Sequence, residues 1–343
     1  MGVFPFLLFF LVSQARAETE GSITSVFQWY PGGNEAQLNI SSEISSTFQL
    51  GKGRITARAG MQRGDGICTL NLLSNPCGAT SGPNASVESW SEPESIHLLE
   101  AKADLSIMNG VSLSLGHLDL TGYFDTNKFA NDEKTQFLAY LFTNNISVDW
   151  GGDLNFYGPG AVLSFQPLAS LNLLFGGFDG DGDYKDILKN PFLIGELGLT
   201  LSIPRERNIR IYFWTKRVRR ALGAVEKGGN SGLGVSLDYE FPPLGLFSRI
   251  GFQDKDVSEI FGSFSFGALW NGPFGRGDDS IGLGIGINLP SNGDLKPERY
   301  LEAFYRISLS EKISITPDIQ AIVSPAGGDG MALVVGIRGR FEM

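Results

Sequence analysis

Glu298–Leu309 reads ERYLEAFYRISL, Lys312–Val323 reads KISITPDIQAIV and Met331–Phe341 reads MALVVGIRGRF. The odd positions are mainly apolar: Leu301, Tyr305, Ile307 and Leu309, then Ile313, Ile315 and Ile319, then Leu333, Val335, Ile337 and Phe341. The even positions carry Glu298, Glu302, Arg306, Lys312, Asp318, Gln320, Arg338 and Arg340. A period of two is that of a strand with one apolar and one polar face. Each run is roughly 10–12 residues long, which suits a tilted membrane strand and exceeds the ~5–6 of soluble strands.

The pattern recurs upstream. Gly53–Gln62 sets Arg54, Thr56 and Arg58 against Ile55, Ala57 and Ala59. Ile96–Ile107 sets Glu100, Lys102 and Asp104 against Leu99, Ala101 and Ala103. Asn208–Lys216 sets Arg210, Tyr212, Trp214 and Lys216 against Ile209, Ile211 and Phe213, and Leu233–Glu240 sets Asp238 and Glu240 against Val235 and Leu237. Ile281–Asn288 alternates Ile or Leu with Gly, so one face is nearly bare backbone. No i, i+3, i+4 stripe supports a helical reading. A two-sheet sandwich would also alternate. Charges of both signs in strand after strand, with Phe and Tyr near strand ends, favour a membrane barrel.

The 343 residues carry a net charge of −10, with 45 Gly, 25 Phe, 2 Cys and 2 His. The 42% hydrophobic fraction excludes a disordered chain. A pI near 4.8 argues against a nucleic-acid partner. The few Cys and His argue against a metal centre, and no cofactor is expected. A mean hydropathy of −0.00 fits a soluble protein, but also a barrel whose two faces cancel.

Val3–Val12, VFPFLLFFLV, is an apolar run of signal-peptide length, and Ala15-Arg16-Ala17 is a small-x-small cleavage pattern. Residues 1–17 are expected to be a signal peptide and 18–343 a single outer-membrane barrel domain. Cys68 and Cys77 are expected to form a disulfide in the oxidising compartment beyond the inner membrane.

Counted back from a periplasmic C-terminus, the outer connections are Gln62–Glu94, Thr121–Pro159, Asp179–Pro191, Val218–Gly229, Asp254–Val257, Leu289–Pro297 and Ser324–Asp329. They are mostly long and alternate with short inner ones, the exceptions being Asp254–Val257 outside and Asn271–Asp278 inside. With a weak first strand at Ser22–Tyr30 the count is about 16, an even number as single-chain barrels require. Two further strands within Thr121–Pro159 would make about 18. That segment is rich in Tyr and Phe and is expected to fold into the lumen, where Asp125, Asp132, Glu133, Asp149 and Asp153 would face Arg54, Arg58, Arg306, Arg338 and Arg340 across an eyelet. Packing across the outer mouth is the alternative.

The inward faces carry ten basic residues: Arg54, Arg58, Lys102, Arg210, Lys216, Arg249, Arg306, Lys312, Arg338 and Arg340. Nine acids oppose them: Glu43, Glu100, Asp104, Glu196, Asp238, Glu240, Glu298, Glu302 and Asp318. Rings of one sign select ions of the other. A balanced wall with aromatics and amides suits a neutral polyhydroxylated solute. The expected pore lining is Arg54, Arg58, Glu100, Asp104, Asp125, Asn127, Asn131, Asp132, Gln136, Arg210, Trp214, Asp238, Glu302, Arg306, Asp318, Gln320, Arg338 and Arg340.

Phe124-Asp125-x-Asn127-x-Phe129-Ala130-Asn131-Asp132-Glu133-x-x-Gln136-Phe137-Leu138 resembles the signature of the carbohydrate-selective porins (OprB-like family). So does Glu302-x-x-Tyr305-x-Ile307 with Pro317-Asp318-Ile319-Gln320, Ser324-Pro325 and Val335-Gly336-Ile337-Arg338. The similarity covers about Leu113–Phe142 and Glu298–Phe341 and is diffuse between. It implies a sixteen-stranded outer-membrane barrel for the diffusion of glucose-like sugars. The chain departs from the usual aromatic end, since Glu342-Met343 follow Phe341.

Other motifs are weaker. Asp179-Gly180-Asp181-Gly182-Asp183 lacks the later Gly and Glu of an EF-hand and reads as an acidic outer loop. Gly282-x-Gly284-x-Gly286 is not followed by a helix, which argues against dinucleotide binding. Lys216-Arg217-x-Arg219-Arg220 reads as a solvated loop edge at an outer strand end, with contact to lipopolysaccharide phosphates as the alternative. Ile281–Asn288 and Phe261–Trp270 could serve a homotrimer interface or face lipid. His97 and His117 fall on the outward parity, which weakens a barrel-enzyme reading. A general or ion-selective porin is the nearer rival.

Overall fold

The computed structural model describes residues 17–32, 35–64, 67, 84–85, 96–150, 157–182, 184, 187–202, 205–221 and 224–343. Its strands are β1 (Ala17–Tyr30), β2 (Glu35–Leu50), β3 (Gly53–Arg63), β4 (Ile96–Met108), β5 (Val111–Asp119), β6 (Tyr157–Leu168), β7 (Leu171–Asp179) and β8 (Pro191–Leu201). They continue with β9 (Arg207–Ala221), β10 (Ala224–Phe241), β11 (Leu244–Gln253), β12 (Ile260–Asn271), β13 (Ser280–Pro290), β14 (Glu298–Ser310), β15 (Ile313–Val323) and β16 (Met331–Glu342). Each pairs antiparallel with its sequence neighbours, and β1 pairs with β16, so the sheet closes on itself. Closure removes every sheet edge, which a chain in hydrocarbon requires because unpaired backbone groups find no water there. The sixteen-strand count is the one the periodicity supports.

The alternation sets the faces. In β16 Ala332, Val334 and Arg338 are buried inward, while Leu333, Val335, Ile337 and Phe341 are exposed on the outer wall. In β15 Ser314, Thr316, Asp318 and Gln320 point in and Ile313 and Ile319 point out. The outer face is therefore an apolar band offered to lipid.

Three sequence expectations are corrected. Val218–Gly229 is not an open loop: Ala221 pairs with Ala224, and β9 and β10 continue as a hairpin past a register shift between Lys227 and Asn230. Pairing beyond the membrane needs only backbone hydrogen bonds, so no apolar face announces it. The first strand starts at Ala17 rather than Ser22. His97 does not face outward. Arg58 pairs with Glu100 but Ala59 pairs with Leu98, so Leu99 is an extra residue, and His97 lies opposite the inward Gly60. A bulge of one residue reverses the parity of everything before it.

The 272–279 connection between β12 and β13 is long for an inner turn. In it Arg276 Nε meets Asp279 Oδ2 at 2.6 Å and Tyr305 Oη donates to Asp279 Oδ2 at 2.8 Å. These bonds, led by that from Arg276, hold the Asp279 carboxyl at about 2. Cys68 and Cys77 lie outside the described residues.

Candidate functional site

Between β5 and β6 the chain does not return directly. It turns into the lumen, with a short α-helix, α1 (Tyr140–Thr143), along its course. The bare face of β13 points inward and receives it. A side chain at Gly284 would lie 2.8 Å from the Phe142 ring, and one at Gly286 would collide with Leu141. Phe137 sits between Phe142, Phe247 and Phe304 with centroid distances of 5.1, 5.1 and 5.0 Å. The absence of side chains on one wall and the aromatics of the loop are thus two halves of one packing arrangement. The glycine face of Ile281–Asn288 is luminal, and it is the Ile and Leu face of the strand that points outward.

Polar contacts fix the path of the loop. Asp125 has φ 57, a left-handed conformation that a non-glycine residue adopts only where its surroundings enforce it. Its Oδ2 accepts from Arg249 Nε at 3.0 Å and from the Asn145 amide at 2.8 Å. Its Oδ1 accepts from Tyr212 Oη at 2.9 Å. Burial pushes the Asp125 carboxyl above its ordinary range, against the pull of Arg249. Arg249 also donates to the carbonyls of Ala130, Phe142 and Asp125 and to Asn131 Oδ1. One guanidinium therefore ties four positions of the loop, in a setting where an unpaired charge would be costly.

Further along, Glu302 accepts from the amides of Leu138 and Ala139 at 2.6 and 2.9 Å. Arg338 donates to the carbonyls of Glu133 and Gln136 at 2.7 and 2.9 Å. Lys134 forms an ion pair with Glu43 on β2. Lys216, inward on β9, meets Asp149 at 2.7 Å. The segment spans the lumen from β10–β11 to β16 and β2, which confirms the inserted path and excludes two added strands.

The loop packs on β10–β16 and, through Phe124, Val148 and Trp150, also on β6–β9, and it leaves the short-turn end of β2–β9 uncovered. A cavity of about 650 Å³ lies there, toward the short-turn end. Its lining includes Gln49, Arg54, Asp104, Ser114, Tyr123, Asn172, Glu196, Asn208 and Arg210. That volume falls within the ~300–1,000 Å³ typical of small-molecule sites. The charges around this lumen pair with one another. Arg54 meets Asp104 at 2.8 Å, Arg58 meets Asp119 at 2.7 Å, and Lys102 meets Glu100 at 2.7 Å. Arg210 meets Asp238 at 2.7 Å, and Lys128 meets Glu240 and Glu206 at 2.8 and 3.1 Å. Lys102 Nζ lies 5.2 Å from the centre of the Tyr123 ring.

The candidate residues thus divide. Arg54, Asp104 and Arg210 reach the open lumen, while Arg58 is held by Asp119 and Glu100, and Glu100 is buried beneath its partners Arg58 and Lys102. Asn127, Asn131, Asp132 and Gln136 build the loop itself. Gln136 Oε1 accepts from the Asn131 amide at 2.6 Å, and Asn127 Nδ2 donates to Ser236 Oγ at 3.1 Å. Asp132 caps Lys134 and Thr135. Trp214, Asp238, Glu302, Asp318, Gln320 and Arg338 point inward as their parity requires but are buried, and Asp125 is a buried residue of the loop itself. Arg306 and Arg340 stand near the periplasmic rim, where Arg306 donates to the Asp278 carbonyl and Arg340 to Glu342 and Thr24. The expected eyelet of loop acids against Arg306, Arg338 and Arg340 does not form. The loop carboxylate engages Arg249 instead. Lys312 sits exposed in the β14–β15 turn.

Arg249 and Glu196 are legible in the sequence only as wall charges, Tyr212 only by its parity and Tyr123 only as one of the loop's aromatics, while Asn145 has no signal of its own. Inward parity marks Arg249 and Tyr212 as luminal. Nothing in the spacing indicates that Asp125, more than 80 residues away, meets them.

Residues 227–343 match the carbohydrate-selective porin, OprB family. An uncharacterised protein of Aquifex aeolicus (strain VF5) is 29% identical over 327 residues, covering 93% of this chain and 92% of that protein. The high-pH structure of Pseudomonas putida OprB superposes with a TM-score of 0.81 at 14% identity, over 100% of this chain and 97% of that one. An anion-selective porin from Comamonas acidovorans gives 0.64 at 10% identity, over 96% and 100%. At such identities the likeness to the solved structures is one of fold.

Proposed function

We propose that this chain, a carbohydrate-selective porin of the OprB type by its C-terminal sequence and its barrel, passes small neutral sugars such as glucose by passive diffusion across the outer membrane. The observation that carries the reading is the pairing of charge along the open lumen. Arg54, Arg58, Lys102 and Arg210 each face a carboxylate within about 3 Å, so among the described residues no ring of one sign forms to select an ion. The paired groups still offer donors and acceptors to hydroxyls, and Tyr123 offers a ring face to the apolar side of a sugar. The reading requires no reaction and no cofactor.

In the same reading, Met1–Ala17 is a signal peptide and Glu18–Met343 the mature domain. Three barrels associate as a homotrimer, and lipopolysaccharide surrounds the outer rim. Cys68 and Cys77 pair in the β3–β4 connection. Planar-bilayer recording of the purified protein tests the central point. Glucose added to the bath should reduce single-channel conductance or add current noise. An ohmic current unchanged by sugar, with a reversal potential displaced in asymmetric salt, would support an ion-selective porin instead.

A further inference from the structure

A basic cluster stands outside the lumen, on the lipid side of the wall at the short-turn end. Arg207 begins β9 and pairs across the sheet with Leu201 and Tyr239. It shares its outward parity with Ile209, Ile211 and Phe213, and Ile211 and Phe213 are exposed. Arg205 lies two residues earlier, in the β8–β9 turn. The Arg205 guanidinium stands 5.2 Å from the Phe241 ring centre, and that of Arg207 stands 5.6 Å from the Tyr239 ring. The two rings are 6.2 Å apart, tilted by 41°. Two guanidinium groups therefore bracket an aromatic pair. Glu206, between them in sequence, is turned to the lumen and held by Lys128. Among the described residues Arg205 enters no ion pair.

The location gives the cluster its meaning. Phe241 and Trp270 end β10 and β12 at the same rim and are exposed, which is the aromatic girdle that marks the lipid–water boundary. Basic side chains at that level attract anionic lipid. A guanidinium is permanently charged, weakly hydrated and shaped to grip a phosphate with two parallel donors. Stacking on a ring holds it in place and keeps water from one of its faces.

We propose that Arg205 and Arg207, seated on Phe241 and Tyr239, bind the phosphate headgroup of an anionic phospholipid in the periplasmic leaflet. The acyl chains then lie along Leu201 and Ile211. The site rests on the barrel's place in the membrane and not on what the lumen passes.

Native mass spectrometry of the full chain, released from micelles containing equal phosphatidylglycerol and phosphatidylethanolamine, tests this. Phosphatidylglycerol adducts should exceed the others several-fold, fall to the phosphatidylethanolamine level in Arg205→Gln/Arg207→Gln, and persist in millimolar inorganic phosphate. Equal adducts of both lipids on the wild type would overturn the proposal. So would unchanged adducts in the variant, or displacement of the lipid by inorganic phosphate. If the double variant fails to show the gel shift of a folded barrel, Arg205→Gln alone, in the turn, gives the same readout with a partial loss expected. Sugar block of the channel should be the same in wild type and variant, which separates this site from the lumen.

Discussion

Arg249 carries more of the pore's shape than any residue that touches the open lumen. It binds the backbone or side chains of Asp125, Ala130, Asn131 and Phe142. Arg249→Met leaves the Asp125 carboxyl buried without its cation, a change that typically costs ~3–5 kcal/mol. The expected outcome is a noisier channel of higher conductance with weaker glucose block. Asp125→Asn in the same chain should restore part of the loss, since the two residues form one network. Single-channel recording of both variants checks it, and equal block in wild type and Arg249→Met would refute the role. Tyr123→Ala acts differently. It removes the ring beside Lys102 and should weaken glucose block by roughly 2–10-fold, as loss of ~0.5–1.5 kcal/mol of ring contact predicts, with little change in conductance.

At the scale of elements, the strands were the most legible feature and the loop's attachments the least. The even–odd rule placed Asp318, Gln320, Arg338 and Trp214 on the inner face, and the structure puts them there. It could not say that a loop would cover them, because burial beneath a distant segment leaves no local periodicity. The signature around Asn127, Asn131 and Gln136 was readable as a motif, but its job is to fold the loop on itself. The parity rule failed at His97, where one added residue at Leu99 shifts the phase without any change of composition. Gly284 supplies the element-scale test. Gly284→Val should push Phe142 and Phe137 off the wall and open the pore, whereas Ile285→Val on the outer face of the same strand should leave conductance unchanged. The β12–β13 turn gives a pH test. Asp279 titrates near 2, below its ordinary value of 3.8, so its ionised form is favoured in the folded chain. Its stabilisation is complete above pH 3.8 and fades as pH falls toward 2. The difference in melting temperature between wild type and Asp279→Asn should shrink over that window and stay constant above it.

For the whole molecule, a mean hydropathy of zero resolves into two faces. The outer wall is apolar, and the inner wall carries charges that meet partners. The net charge of −10 therefore does not make the lumen an anionic channel. The inserted segment packs across the barrel and leaves a cavity along the short-turn end of β2–β9, and the proposed function takes solute through it, beside the loop. A neutral solute of sugar size should move faster through such a path than a charged one of equal size, because it does not have to break the wall's ion pairs. Liposome swelling with the purified protein measures this directly. The account predicts rapid swelling in glucose and slower swelling in gluconate at matched osmolarity. Equal rates, or faster entry of gluconate, would contradict it.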